Sequence, residues 1–226
     1  KTEGDTLLET ETSVLSGRTL EDVREDRTPE WSPPPNPAAQ LKGAKPASLP
    51  RAFKPMLATA TDKPFNDPAW TYELKFDGIR LIAILDRGSV RLLSRGENDV
   101  TRKFPSIVAQ LAALDVGRAV FDGEVVAFDE QKKINFQTLM KRFLLDRELD
   151  IKAAERQVPA TYCVFDLLHL EGYDLTKSRL DERKQLLTTL EFPRVARQRV
   201  DDYPGEGEVL FAAAQNMGLE GVVAKR

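Results

Sequence analysis

Glu73-Leu74-Lys75-Phe76-Asp77-Gly78-Ile79-Arg80 is the stretch on which the reading of this chain turns. A lysine stands at the end of a strand-like run, beside an acid, a flexible glycine and an arginine. An amine that is protonated near neutrality becomes a nucleophile only when neighbouring cations or a metal favour its neutral form. Asp77 could hold such a metal, and Arg80 could bind phosphate or sugar oxygens. Taken alone, the segment reads equally as a strand with surface salt bridges that ends in a turn at Asp77-Gly78.

Working outward, Thr71 to Lys75, Gly78 to Leu85 and Ser89 to Leu93 read as strands. The last two are joined by Asp86-Arg87-Gly88, which suits an antiparallel hairpin. Pro105 opens a helical pattern through Leu114, where its missing N–H costs nothing. Ala119 to Phe128 reads as a strand and Asn135 as the cap of a helix from Phe136 to about Leu145. Tyr162 to Leu168 reads as a buried strand, and Ser178 as the cap of a helix to Leu190. A last helix, from about Glu206 to Asn216, ends at Met217-Gly218 before the strand Gly221 to Lys225. Hairpins mixed with helices, without regular strand-helix-strand alternation, indicate an α+β fold.

Upstream the composition changes. Seven of the fourteen prolines lie between Pro29 and Pro50, which suggests an extended, semi-rigid linker. Residues 1–30 are acidic, with one plausible helix capped by Thr19. Residues 1–50 are therefore expected to be an acidic, then proline-rich connector, largely flexible, and residues 51–226 the folded domain.

At 226 residues, 41% hydrophobic and 31% charged, the chain suits one sizeable globular domain, and no apolar run approaches the roughly 20 residues of a membrane helix. The single cysteine, Cys163, excludes an internal disulfide framework; with no apolar signal stretch at the N-terminus, a reducing cytosol fits. Because the chain opens at Lys1 and ends at Arg226 directly after a strand-like run, it reads as a piece of a longer protein. Residues 51–226 carry 27 basic and 27 acidic side chains, so net charge does not argue for nucleic acid. Arg87, Arg91, Arg95, Arg102 and Lys103 form either a local basic patch or an ordinary solvated face. His169, the only histidine, and Cys163 have no metal-spaced partners and read as structural.

Lys-x-Asp-Gly-x-Arg resembles the nucleophile motif of the covalent nucleotidyltransferases: ATP-dependent DNA ligases, RNA ligases and mRNA capping enzymes. Leu93-Ser94-Arg95-Gly96, Phe121-Asp122-Gly123-Glu124, Val164-Phe165-Asp166-Leu167-Leu168 and Glu220-Gly221-Val222-Val223-Ala224-Lys225 look like that superfamily's later elements, in order. Within it, Lys54-Pro55-Met56-Leu57-Ala58 and Asn135-Phe136-Gln137-Thr138-Leu139 are similar to bacterial ligase D, the multidomain ligase of non-homologous end joining. Ser13 to Glu21 looks like the stretch that leaves a preceding phosphoesterase domain.

The resemblance implies an ATP-grasp-like DNA ligase adenylation fold of antiparallel sheets flanked by helices. Lys75 would attack the α-phosphorus of ATP; AMP would then pass to a DNA 5′-phosphate, and the 3′-hydroxyl would seal the strand. It makes Phe165 the adenine platform, although an aromatic in an apolar strand otherwise reads as core. It gives Glu73 the adenine amino group, with Leu74 beside it. Arg80 and Glu124 take the ribose hydroxyls or nearby oxygens, Arg95 the nucleotide or DNA phosphate, Val222 or Val223 the second adenine face, although an apolar strand otherwise reads as core, and Lys225 a phosphate. Glu124, Glu220 and Asp77 are its candidate ligands for Mg2+ or Mn2+.

The family continues into a further lysine-bearing strand and an OB domain, an oligonucleotide-binding barrel, so both are expected to lie outside a chain that stops at Arg226. Implied partners are nicked or broken duplex DNA, phosphoesterase, polymerase and OB domains of the same longer chain, and a Ku-type end-binding protein, in a bacterial cytoplasm at the nucleoid. The alternatives are an RNA ligase, a GTP-dependent capping-type enzyme, or a non-catalytic platform that binds nucleotide or DNA ends.

Overall fold

A computed structural model describes residues 36–129, 133–192 and 201–226. The chain divides after Pro35, and everything described belongs to the second unit. The helix expected behind Thr19 lies outside the described residues.

Two antiparallel sheets carry the unit. The larger has six strands: β1 (Lys45–Pro46), β3 (Ile79–Asp86), β4 (Ser89–Ser94), β5 (Arg118–Ala127), β6 (Ala160–Leu170) and β7 (Tyr173–Asp174), in the order β1-β7-β6-β5-β3-β4. The smaller sheet sets β2 (Thr71–Lys75) between β8 (Asp202–Pro204) and β9 (Gly221–Lys225). The helices are α1 (Pro105–Ala112), α2 (Phe136–Phe143), α3 (Glu148–Gln157), α4 (Leu180–Thr189) and α5 (Gly207–Asn216). This is the α+β arrangement expected from the sequence.

Local chemistry accounts for most of these elements. The β3–β4 hairpin turns through Arg87 and Gly88, both at positive φ (49° and 83°), which matches the right-handed twist of the flanking strands. Asn135 caps α2 by accepting the Thr138 N–H at 2.9 Å, as its residue type predicts. The expected Ser178 cap is not found: α4 starts at Leu180 with no side-chain cap, and the Ser178 hydroxyl is buried without a partner. The Ser178 carbonyl instead accepts from Arg183, and Arg179 takes the cap position, one residue later than expected.

β3, β5 and β6 are covered on both faces. One face packs Leu81, Ala83, Leu85 and Phe121 with Phe104, Ile107 and Leu111 from α1 and its lead-in. The other carries Ile82, Ile84, Val120 and Leu168, with Leu49 and Phe53 lying over them. Burial of this kind, at roughly 25 cal/mol per Å2 of apolar surface, is the main source of stability.

Leu49 is one reason the folded body begins before residue 51. Ala38 is fully buried, Lys45 and Pro46 pair with Asp174 and Tyr173, and the Ala47 N–H donates to the Gly172 carbonyl at 2.8 Å. Residues 36–50 were expected to lie in the connector; they pack on the large sheet instead. Proline content reports stiffness and does not forbid docking.

Candidate active site

Lys75 ends the central strand of the small sheet, opposite Gly221 of β9. Glu220 therefore stands directly before the partner strand, and its carboxylate makes an ion pair with the Lys75 amine. Both side chains are nearly half exposed, at 43% and 46%, so the pair contributes little to stability. Its effect is positional: it fixes the amine against the residue that leads into β9.

The rest of the site comes from the second face of the large sheet. Along β5 it presents Asp122, Glu124 and Val126, because alternate residues of a strand share a face. Arg80 lies across from Glu124 in the β3–β5 register. Burial raises the Glu124 carboxyl to about 7, with Arg80 and Lys75 opposing the rise and Asp122 and Glu220 adding to it. Four charged groups thus act on Glu124, and near neutrality its carboxyl is divided between the charged and protonated forms.

Arg80 is fixed as a fork. Its Nε and Nη2 donate to the two Asp122 oxygens at 3.0 and 2.7 Å, and its Nη1 donates to the Met56 carbonyl at 2.8 Å. Asp122 is only 4% exposed; burial raises its pKa, and Arg80 opposes the rise. Asp166 sits opposite Asp122 on β6 and receives an equivalent fork from Arg183 of α4, at 2.8 and 2.7 Å.

Phe165 owes its orientation to a bulge. Asp122 pairs with Asp166 and Gly123 with Val164, so Phe165 has no opposite residue on β5. An extra residue of this kind re-aims its side chain. Phe165 is half-buried instead of the core residue that its apolar strand suggests. The Lys225 amine lies 4.1 Å from the centre of its ring, and the Arg80 guanidinium carbon lies 5.4 Å from it.

Glu73, 3% exposed, contacts two lysines: Lys225 at 2.6 Å and Lys184 of α4. Burial lowers the Lys225 pKa, and Glu73 opposes that shift. Leu74 and Val222 are register partners on β2 and β9, both half-buried, but strand alternation sets them on the face away from Glu73 and Lys75; Val223, opposite Glu73, is the valine on the site face. Arg95 and Asp77 are exposed in the turns after β4 and β2. Arg95 lies one residue beyond the Leu81–Ser94 pair and so at the edge where Arg80 stands.

Among the described residues no three His, Cys, Asp or Glu side chains form a metal-holding group. Asp77, Glu124 and Glu220 are therefore no closed cage. Glu220, in contact with the Lys75 amine, and Glu124, which feels the charges of both, still offer hard oxygen donors. Such a pair suits Mg2+ or Mn2+, since magnesium keeps several of its waters and takes only one or two carboxylates.

Sequence reasoning missed Asp122, Asp166, Arg183 and Lys184 as parts of the site. The two aspartates carried a signal, because an acid inside an apolar strand must find a partner. Lys184 carried none; a helix lysine ordinarily faces solvent. Cys163 and His169 are buried in the large sheet, as expected of structural residues.

The profile of the family described as ATP dependent DNA ligase domain matches residues 55–226. The multifunctional non-homologous end joining protein LigD of Pseudomonas aeruginosa is 35% identical over 227 residues, covering 98% of this chain and 25% of that protein. The SPbeta prophage-derived DNA ligase-like protein LigB of Bacillus subtilis is 36% identical, covering 76% of this chain and 60% of that one. Among solved structures, mycobacterial DNA ligase D complexed with ATP and MES superposes with a TM-score of 0.61 at 32% identity, covering 76% of this chain and 53% of that one. The antiparallel sheets that meet at a strand-end lysine are thus a nucleotidyltransferase fold. The chain belongs to the ATP-dependent DNA ligase domain family. It spans a quarter of the length of the Pseudomonas relative and 60% of the Bacillus one.

Proposed function

We propose that this chain is the adenylating core of a DNA ligase, in which Lys75 takes AMP from ATP and passes it to a DNA 5′-phosphate. The observation that carries the reading is the Lys75 amine paired with Glu220 and close enough to act on the Glu124 carboxyl, in a site that also has a bulge-presented aromatic ring and a buried acceptor. Adenine stacks on Phe165 with its amino group toward Glu73, and Val223, the register partner of Glu73, closes the strand side. Arg80, immobilised by Asp122, reaches the ribose and nearby oxygens, and Arg95 meets phosphate; Lys225, opposite Thr71 and over the Phe165 ring, stands at the base end of the site and not at the phosphate.

Lys75 Nζ forms the bond to the α-phosphorus as the bond to pyrophosphate breaks, and the amine proton leaves through Glu220, the carboxylate it already touches. Pre-set contacts of this kind lower the barrier by positioning more than by new chemistry. Glu124 and Glu220, with Asp77 at the rim, would hold Mg2+ or Mn2+, which offsets charge on the phosphate oxygens.

AMP then moves to the 5′-phosphate of a nick, and the 3′-hydroxyl displaces it. The LigD relatives are described as non-homologous end joining proteins, which supports a role at broken DNA in a bacterial cytoplasm, at the nucleoid. Phosphoesterase, polymerase and OB domains in a longer chain, and a Ku-type partner, complete this reading.

The test is incubation with ATP labelled at the α-phosphate plus magnesium or manganese, followed by denaturing electrophoresis, with GTP and Lys75→Ala in parallel. A band that needs ATP and Lys75 supports the reading. A GTP-specific band would move it to capping chemistry. ATP binding without label, in this chain and in a longer one bearing the barrel, would leave only a binding platform.

A further inference from the structure

Lys184 has no part in the scheme above, yet it is among the most buried charges of the fold. Its side chain is 9% exposed and contacts Glu73 Oε1. It comes from α4, an element of the large-sheet side, and so crosses to a carboxylate on the central strand of the small sheet. Its second anion, Asp202 of β8, is 3.7 Å away. An amine brought this far out of water stays only where its charge is matched, so the contact is specific to this arrangement.

The two lysines on Glu73 are not equivalent. Lys225 touches Oε2 at 2.6 Å and lies 4.1 Å from the centre of the Phe165 ring. Its amine therefore occupies the space between the aromatic platform and the carboxylate, where a stacked purine would place an exocyclic group. Lys184 contacts the other oxygen, and the cations that lie over the ring are Lys225 and Arg80. An incoming base has to displace the Lys225 contact and leaves the Lys184 contact untouched.

We infer that Lys184 is a positioning residue for purine selection: it grips Oε1 of Glu73 so that Oε2 faces the edge of the base stacked on Phe165. This inference rests on the nucleotide-binding reading given above. A carboxylate oxygen only accepts hydrogen bonds. Adenine offers an amino donor at its sixth position, whereas guanine offers a carbonyl oxygen that a carboxylate repels. Discrimination of this kind is large only where the polar group is held in place, because a free carboxylate turns away from the wrong base. Once the base displaces Lys225 from Oε2, Lys184 is the remaining restraint.

The experiment compares kcat/KM for Lys75 labelling by α-labelled ATP, GTP and purine riboside triphosphate, which lacks the exocyclic amine. It uses the wild-type chain, Lys184→Met and Lys184→Arg. The expected result is at least a tenfold fall in the ATP-to-GTP ratio for Lys184→Met, carried by KM for ATP and not by the rate at saturation. The ratio is expected to be restored in Lys184→Arg. The ratio is taken within each protein, so partial folding does not imitate it; should Lys184→Met fail to fold, Lys184→Gln replaces it.

An unchanged ratio in the folded variant overturns the inference, as does a fall confined to the saturating rate. A wild-type chain that labels equally with ATP and the amine-free analogue also overturns it. A wild-type chain that labels with no nucleotide sinks the underlying adenylation reading instead.

Discussion

A Cβ on Gly78 would overlap the carbonyl oxygen of Val125 and come within 2.9 Å of the Glu124 side chain. β3 thus enters the sheet in contact with β5, and the glycine of the nucleophile segment is a packing requirement as well as a turn residue. Gly78→Ala must push β5 outward at Glu124. We expect a loss of about 1–3 kcal/mol in urea unfolding, with labelling of Lys75 reduced at least tenfold. A variant with wild-type stability and labelling would show that the two strands separate freely.

Glu124 gives a pH prediction. Its carboxyl is raised by burial from an ordinary 4.5 to about 7. The folded state therefore holds this proton more tightly than the unfolded chain does. The stabilising contribution is complete below pH 4.5 and is lost as pH rises through 7. Glu124→Gln cannot titrate, so relative to wild type it should gain stability between pH 5 and pH 8. At about 1.4 kcal/mol per pKa unit, the ceiling is about 3 kcal/mol. Chemical denaturation of the nucleotide-free chain at the two pH values checks it; a constant difference contradicts the electrostatic account.

Arg183 and Asp166 are 12% and 13% exposed, and Asp166 faces Asp122 across the strand pair. Removal of the arginine leaves two neighbouring carboxylates with one guanidinium between them. Arg183→Met should cost about 3 kcal/mol, and Arg183→Met with Asp166→Leu should recover most of it. Failure of the double variant to recover would mean that the helix contact, not the charge, is what matters.

Phe165→Ala removes the ring on which the purine is proposed to stack. Aromatic contact of this kind contributes about 0.5–1.5 kcal/mol beyond area, so KM for ATP in the labelling reaction should rise roughly three- to tenfold or more. Phe165→Trp should keep it near wild type. Equal KM values across the three proteins would place the base elsewhere.

The hairpin of β3 and β4 was legible because Arg87-Gly88 admits few turns, and α2 because Asn135 is a strong cap. Spacing and resemblance singled out Lys75, Glu124 and Glu220, and the fold brings the three near one another. The helix α3 was not: Ile151 is its single buried residue, so it shows almost no apolar period. β8 is three residues long, below what alternation can reveal. The bulge at Phe165 changes which face a side chain takes, and no strand pattern announces such a slip. Lys184 was invisible for a different reason. Its partner Glu73 lies 111 positions earlier, and only the meeting of α4 with the small sheet makes the lysine part of the site.

The central claim is that Lys75 is the residue that carries AMP. The most direct measurement is peptide mass spectrometry of the chain after incubation with ATP and magnesium or manganese, to locate the adenylyl group. AMP on the peptide containing Lys75, absent in Lys75→Ala, is the predicted result. AMP on another lysine, such as Lys225 or Lys184, would contradict the account.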